Sequence, residues 1–179
     1  TGHLVFSTLH TNDACGAFTR LNDMGVEPFL IASSVEGVLA QRLVRVLCKE
    51  CEQPYDPDPD LVRQVNMTRA DPSSIQFYRP AGCEACRYTG YAGRTAIIEM
   101  VKMGEDIRRE VVDNSSASVI KARAMETGMR PIRFDGWDKV MQGVTTCEEV
   151  LRVTMEDEFN SETERELADA ADAEEAPAA

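Results

Sequence analysis

Apolar and polar positions divide the first 155 residues into short segments of changing period. Residues 4–9 (Leu-Val-Phe-Ser-Thr-Leu) form a mostly apolar run with β-branched and aromatic side chains, which predicts a buried strand. Asn12 or Asp13 then stands where a helix cap belongs, and Ala14, Ala17, Phe18, Leu21 and Met24 recur at helical spacing up to Gly25. Pro28 is placed to open a second helix, whose apolar positions run from Phe29 to Leu39 and predict a helix over 29–40. Residues 41–47 alternate at first and then turn apolar, which fits a strand or a helix end, of which the strand is the favoured reading, and residues 75–79 and 94–100 read as two more strands. Residues 61–67 are long enough for a short helix after the Pro- and Asp-rich turn at 56–60.

From residue 105 onward the period stays near 3.6. Helices are expected over 105–112, over 119–127 with Ser116 or Ser118 as cap and Gly128 as stop, and over 134–142 ending at Gly143. Thr146-Cys147-Glu148-Glu149 has the form of a capping box opening a last helix. Beyond Phe159 large apolar residues become too sparse for a core, which predicts disorder.

Chemistry enters with two cysteine pairs. Cys48 and Cys51, and Cys83 and Cys86, form two C-x-x-C turns separated by 31 residues. Two such turns facing each other surround one ion with four thiolates, which suits structural zinc. A closed quartet leaves no position for a reacting water, so Lewis-acid catalysis is not expected there. Iron in the same four thiolates is the competing assignment, and a disulfide framework is a further one, which nothing secretory in the chain favours. Cys15 and Cys147 stand alone and read as small, half-buried packing residues.

Charge changes the picture only at one end. The net charge is −12, but residues 156–179 hold ten acidic side chains and one Arg, leaving the remaining body at −3. A nearly balanced body argues against a nucleic-acid binder. No apolar run approaches a membrane span of about 20 residues. The chain opens on Thr1-Gly2-His3 without initiator Met or basic leader, and reads as a cut inside a larger protein.

His3 and His10 are the only histidines, one at each end of the first predicted strand. A histidine at a strand end is commonly a structural hydrogen-bonding group. At the rim of an α/β sheet, where ligands bind, it can instead touch a phosphate or orient a water, with Thr8 and Thr11 beside it.

These residues carry a resemblance. Residues 1–14 resemble the histidine box of the type II secretion and type IV pilus assembly ATPases. The similarity continues through residues 20–30, through 41–45, through both cysteine pairs, through Thr89-Gly90-Tyr91-Ala92-Gly93-Arg94-Thr95 and through Gly143-Val144-Thr145-Thr146, covering about residues 1–155. The tetracysteine insert is similar to that of the secretion and pilus-extension branch; retraction ATPases of the superfamily lack it.

The resemblance implies an α/β fold: the C-terminal part of a RecA-like P-loop ATPase core, with a tetracysteine zinc insert and a C-terminal helical bundle. It implies core at 1–47, insert at 48–87, return strand and helices at 88–155, and a disordered acidic tail at 156–179. It also implies a homo-hexamer in the bacterial cytoplasm, peripheral to the inner membrane. That motor would work with a platform membrane protein and the cytoplasmic domain of a secretion or pilus membrane protein, with no nucleic acid. ATP and Mg²⁺ would be its cofactors beside structural Zn²⁺. His3 and His10 would be catalytic, at the γ-phosphate region, and Arg94 would lie near the nucleotide; Arg42 and Arg45 would be structural or at subunit contacts.

One departure is plain: no G-x-x-x-x-G-K-[ST] stretch occurs in the 179 residues, so the chain alone is expected not to hydrolyse ATP. A type II secretion motor is the favoured reading and a pilus-extension motor the alternative. A non-enzymatic zinc-ribbon module is the rival from another class, and it leaves the histidine box unexplained. A cysteine-ligated iron redox protein is a third reading.

Overall fold

The computed structural model describes residues 2–59, 61 and 76–154. In chain order its elements are α1 (Gly16–Asp23), α2 (Pro28–Ser34), β1 (Gly37–Leu47), β2 (Glu52–Tyr55), β3 (Phe77–Pro80) and β4 (Tyr91–Lys102). Four helices follow: α3 (Glu105–Val112), α4 (Ala117–Glu126), α5 (Ile132–Met141) and α6 (Cys147–Val153). The strands form two antiparallel pairs, β1 with β4 and β2 with β3. The class is mixed helix and sheet.

Local chemistry sets most boundaries. The cap position of α1 is Cys15, without a side-chain cap, rather than Asn12 or Asp13; Asp13 Oδ1 still accepts from the Gly16 N–H at 2.7 Å, while Oδ2 lies 4.0 Å from the buried Lys121 ammonium of α4. Pro28 opens α2 as expected. That helix stops at Ser34, six residues short of the expectation, because Val35 turns extended and residues 37–40 join β1 instead. Apolar residues 35, 38 and 39 fit helical spacing, but Val38 and Leu39 are aligned with Val101 and Met100 across the β1–β4 ladder, and tertiary pairing wins. Ser116 caps α4 through the Val119 N–H, and Gly128, at φ +99°, follows that helix. The expected helix at 61–67 lies outside the described residues except for Leu61, as does the region beyond Thr154.

The expected buried strand at 4–9 is not formed. Its residues have no strand assignment and no ladder partners among the described residues, and Phe6 is 88% exposed, with Leu4 and Val5 nearly as open. A strand apolar on both faces needs neighbours on both faces and edges, and the described residues supply none. Conversely, β2 was not anticipated. Glu-Gln-Pro-Tyr has no strand pattern of its own and exists by pairing with β3, Tyr55 opposite Phe77.

The β1–β4 ribbon is the floor of the molecule. Val44, Ile97, Glu99 and Val101 on its inner face are buried. One end is covered by α1, α2, α3 and α4, where Phe18, Ile31, Ile107, Val111, Ile120 and Ala124 pack with Val101. At the other end Val44 and Ile97 meet Ile132 of α5 and Val153 of α6. A third cluster joins the short ribbon to α5 and α6: Phe77 against Trp137, Val140, Cys147 and Val150, with Tyr55 edge-on to Phe77 at 6.4 Å. Helices α3 to α6 are thus divided between separate clusters. The outer face of the long ribbon stays open, exposing Leu39, Leu43, Ile98 and Met100.

Between the two covered ends lies Glu99, 2% exposed. Its Oε1 accepts from the Ala14 N–H at 2.6 Å and its Oε2 from the Ile132 N–H at 2.9 Å. One side chain therefore ties the start of α1 and the start of α5 to β4. A second buried carboxylate, Glu149 of α6, closes the edge of β1. It accepts from the Arg45 N–H at 3.0 Å and from the Arg45 guanidinium at 2.5 Å, and Arg152 donates to both its oxygens at 2.9 and 2.8 Å. The capping box is thus half realised. Thr146 Oγ1 accepts from the Glu149 N–H at 3.3 Å, but the Glu149 carboxylate serves β1 and Arg152.

Two stability predictions follow from these carboxylates. Glu99→Gln keeps the shape but presents an amide where two backbone donors point. One N–H loses its acceptor, and the unfolding free energy in urea should fall by about 1–3 kcal/mol; a midpoint unchanged from wild type contradicts the tie. For Glu149, burial alone would raise the carboxyl pKa, but hydrogen bonds from Arg152 and Arg45 outweigh it and hold the group well below the usual carboxylate range. Its stabilising contribution is then full above the unfolded pKa of about 4.3 and is lost progressively as the pH falls below it. The stability difference between wild type and Glu149→Gln should be largest near neutrality and shrink on acidification.

Candidate metal centre

The two knuckles are built by the chain around the cysteines. In the first, the Cys51 and Glu52 N–H groups both donate to the Cys48 carbonyl at 3.2 and 2.9 Å, closing a tight turn into β2. In the second, β3 delivers the chain into Cys83, and the Tyr88 N–H returns to the Cys83 carbonyl at 2.7 Å. This turn forces Arg87 and Tyr88 to φ +53° and +60°, a conformation that costs non-glycine residues energy. Glu52 and Arg87 follow the pairs where glycine often eases such turns, and the second knuckle forms with that strain. Gly82, at φ +93°, is needed for a further reason: a Cβ there would stand 2.8 Å from the Tyr88 carbonyl oxygen.

The four sulfurs come together. Cys48 Sγ lies 3.9 Å from Cys83 Sγ, Cys51 Sγ 3.8 Å from Cys86 Sγ, and Cys83 Sγ 3.7 Å from Cys86 Sγ. All four ligand atoms lie within 4.8 Å of one another. A tetrahedral ion with bonds of about 2.3 Å to sulfur requires sulfur–sulfur separations of about 3.75 Å, whereas a disulfide needs about 2.05 Å. The donor set fits a tetrahedral thiophilic ion. Backbone dipoles already favour charge on one sulfur: the Cys83 N–H at 3.2 Å is the main cause that pulls Cys86 down to about 6, and the Gly90 N–H at 3.2 Å adds to it. Burial pushes Cys51 up to about 12. Binding a metal demands that such a thiol give up its proton.

The centre is docked on the rest of the chain. The Cys48 N–H donates to the Gly90 carbonyl at 3.0 Å, the Leu47 N–H to the Val144 carbonyl at 2.9 Å, and the Lys49 ammonium to the Gly143 carbonyl at 2.8 Å. Gly143, at φ +67°, passes so close to Tyr78 that a Cβ would sit 3.2 Å from the ring. The glycines at 90 and 143, noticed in the sequence as parts of separate motifs, meet here on one knuckle.

His3 and His10 lie elsewhere. Both are exposed on the N-terminal segment. Among the described residues the cysteines are the one group of three or more His, Cys, Asp or Glu that could hold a metal. Arg94 is exposed on β4, opposite Arg45 in the ladder, and has no hydrogen-bond or ion-pair partner among the described residues. Arg45 lies 4.0 Å over the Tyr91 ring while it reaches Glu149, and Arg42 donates to the Asn12 carbonyl. The parts of Glu99 and Glu149 were not anticipated. Isolated acidic residues in apolar stretches are the signal that could have found them. Cys15 and Cys147 are buried packing residues, and burial pushes Cys147 up to about 12.

Comparison with known proteins gives the arrangement its relatives. A family model described as "Type II/IV secretion system protein" matches residues 1–152. The chain is 51% identical over 157 residues to a type II secretion system protein E of Pseudomonas aeruginosa, 88% of this chain and 31% of that protein. It is 49% identical over 157 residues to the corresponding protein of Dickeya dadantii, 88% of this chain and 30% of the relative. It is 48% identical over 156 residues to the type IV pilus assembly ATPase PilB of Thermus thermophilus, 87% of this chain and 18% of the relative. The chain thus spans a third or less of these relatives' length. With residues 1–152 matched and the tetracysteine group assembled, the chain belongs to the type II/IV secretion system protein family.

Proposed function

We propose that the chain is the C-terminal part of a cytoplasmic hexameric ATPase that powers type II protein secretion. ATP hydrolysis would be coupled to pseudopilus assembly at the inner membrane, through a platform protein and the cytoplasmic domain of a second membrane protein. One observation carries this reading: identity near 50% to secretion E proteins, sustained over 157 residues. The pilus-assembly reading stands beside it because a pilus ATPase matches at 48%.

The exposed apolar surfaces support the same view. Leu4, Val5 and Phe6, and the outer ribbon face of Leu39, Leu43, Ile98 and Met100, are patches that a longer protein would bury. In this reading residues 1–47 close the ATPase core, 48–87 are the insert, 88–155 return to the core and its helices, and 156–179 are an appended acidic tail. His3 and His10 face the γ-phosphate region and Arg94 lies near the nucleotide. ATP with Mg²⁺ is bound by a P-loop that the 179 residues do not contain. Cys48, Cys51, Cys83 and Cys86 hold Zn²⁺ as thiolates, which supplies folding energy to the insert and no catalytic water.

Three experiments test the proposal. The 179-residue chain, given ATP and Mg²⁺, should release phosphate no faster than its His10→Ala variant; steady release above that control would overturn the partition of the site. Elemental analysis should find about one zinc per colourless chain, and visible absorbance would point to iron. Cys83→Ser, or a chelator, should open residues 48–87 to protease before the helical parts, whereas an unchanged digestion pattern removes the structural role.

A further inference from the structure

One residue stands between the two cysteine knuckles. Gly90 is buried where the second knuckle ends and β4 begins. Its N–H donates to Cys86 Sγ at 3.2 Å, and its carbonyl accepts from the Cys48 N–H at 3.0 Å. The first contact falls on a sulfur of one knuckle, the second on the backbone of the other. Cys86 Sγ takes a further backbone donor, the Cys83 N–H at 3.2 Å. Thr89 fixes the aim of Gly90. Its Oγ1 donates to the Cys86 carbonyl at 2.7 Å and accepts from the Tyr91 N–H at 3.3 Å, bracketing Gly90 on both sides. Gly90 has φ +75°, and a Cβ there would stand 2.3 Å from Pro80 Cβ, so the position must stay bare. Pro80 ends β3, the strand that leads into the second knuckle. The contact with Pro80 therefore sets the entry of that knuckle against its exit.

We propose that Gly90 is a positioning residue of the metal centre: it holds Cys86 Sγ and the Cys48 backbone in one frame, so that both knuckles present their sulfurs to one ion. The inference rests on the reading of the quartet as a metal site. Groups that hydrogen-bond to metal ligands orient them and tune the site. Four thiolates outweigh a divalent ion in charge, and N–H donors aimed at sulfur offset part of that excess. A backbone N–H also bonds a charged acceptor more strongly than a neutral one. The Gly90 and Cys83 donors therefore grip Cys86 hardest when its sulfur is a metal-bound thiolate. The same junction joins the centre to the long ribbon. Tyr91, next in the chain, is aligned with Leu47, the residue before Cys48. Gly90 thus closes a circuit in which each knuckle is held by the end of the other.

The full chain loaded with an NMR-active cadmium isotope tests this. Spin coupling passes from cadmium through sulfur to a hydrogen-bonded amide proton, so couplings to the Gly90 and Cys83 amide protons are expected. A four-sulfur cadmium resonance without coupling to the Gly90 proton would overturn this inference alone; the absence of any such resonance would overturn the metal reading with it. Thr89→Val removes the hydroxyl at an exposed position and leaves Gly90 in place. It should weaken Zn²⁺ binding, measured by competition with a chromophoric chelator, by about tenfold. It should also diminish the Gly90 coupling and spare that of Cys83. Thr89→Ser keeps the hydroxyl and should restore both affinity and coupling. Cobalt(II) gives an independent reading. Loss of a donor at Cys86 raises the energy of its sulfur electrons, so the sulfur-to-cobalt charge-transfer band should move to longer wavelength in Thr89→Val. An unmoved band beside a weakened affinity would reduce this loop to packing and count against the proposal.

Discussion

The arrangement of this chain depends on a buried carboxylate held by two backbone donors. Glu99 sits in the middle of β4 and takes two backbone N–H groups, one from each of the helical groups that flank the ribbon. Each of those donors belongs to the first residues of a helix or its lead-in, where backbone N–H groups lack intrahelical acceptors. A buried donor left unpaired costs as much as several good apolar contacts. Glu99 therefore couples two packing problems that apolar contacts alone would leave independent: where α1 begins and where α5 begins. The apolar clusters then fill in around a geometry that hydrogen bonding has already fixed.

The cysteine quartet depends on this frame more than its insert-like position suggests. Its first knuckle is held from outside by carbonyls of Gly90, Gly143 and Val144. Its ribbon packs on Trp137 and Val150, residues of the last two helices. Those helices are positioned in turn through Ile132, at the Glu99 contact, and through Glu149, at the Arg45 contact. A metal in the quartet would stabilise knuckles whose strained residues, Arg87 and Tyr88, gain little from local propensity. The chain thus places one polar tie at each interface between its parts.

Much of this was legible in the sequence, for identifiable reasons. Helices α3 and α4 and the last helix announce themselves by period and by Ser116 and Thr146. The quartet is specified by spacing. What failed to show were features set by distant partners. Residues 37–40 look helical until Val101 and Met100 pair with them. Residues 52–55 look like loop until residues 77–80 align opposite. Residues 4–9 read as a strand because composition records burial, and the described residues provide no sheet to receive them. Glu149 fits a capping box by pattern, yet its carboxylate goes to Arg45 and Arg152, because two guanidiniums outbid one backbone N–H. The closeness of the four cysteines was readable from their spacing, whereas His3, His10 and Arg94 are exposed side chains.

The separation of the two knuckles has a consequence for how freely the insert can vary. Cys48 and Cys83 are 35 positions apart, yet their sulfurs stand 3.9 Å from each other. Closing a loop costs chain entropy that grows only with the logarithm of its length, about 0.6 kcal/mol for each doubling. Once β2 and β3 have set the strand ends beside Gly90 and Trp137, the chain between them can lengthen or shorten at almost no thermodynamic penalty. The knuckles fix a register; the intervening length is left nearly neutral to selection on stability.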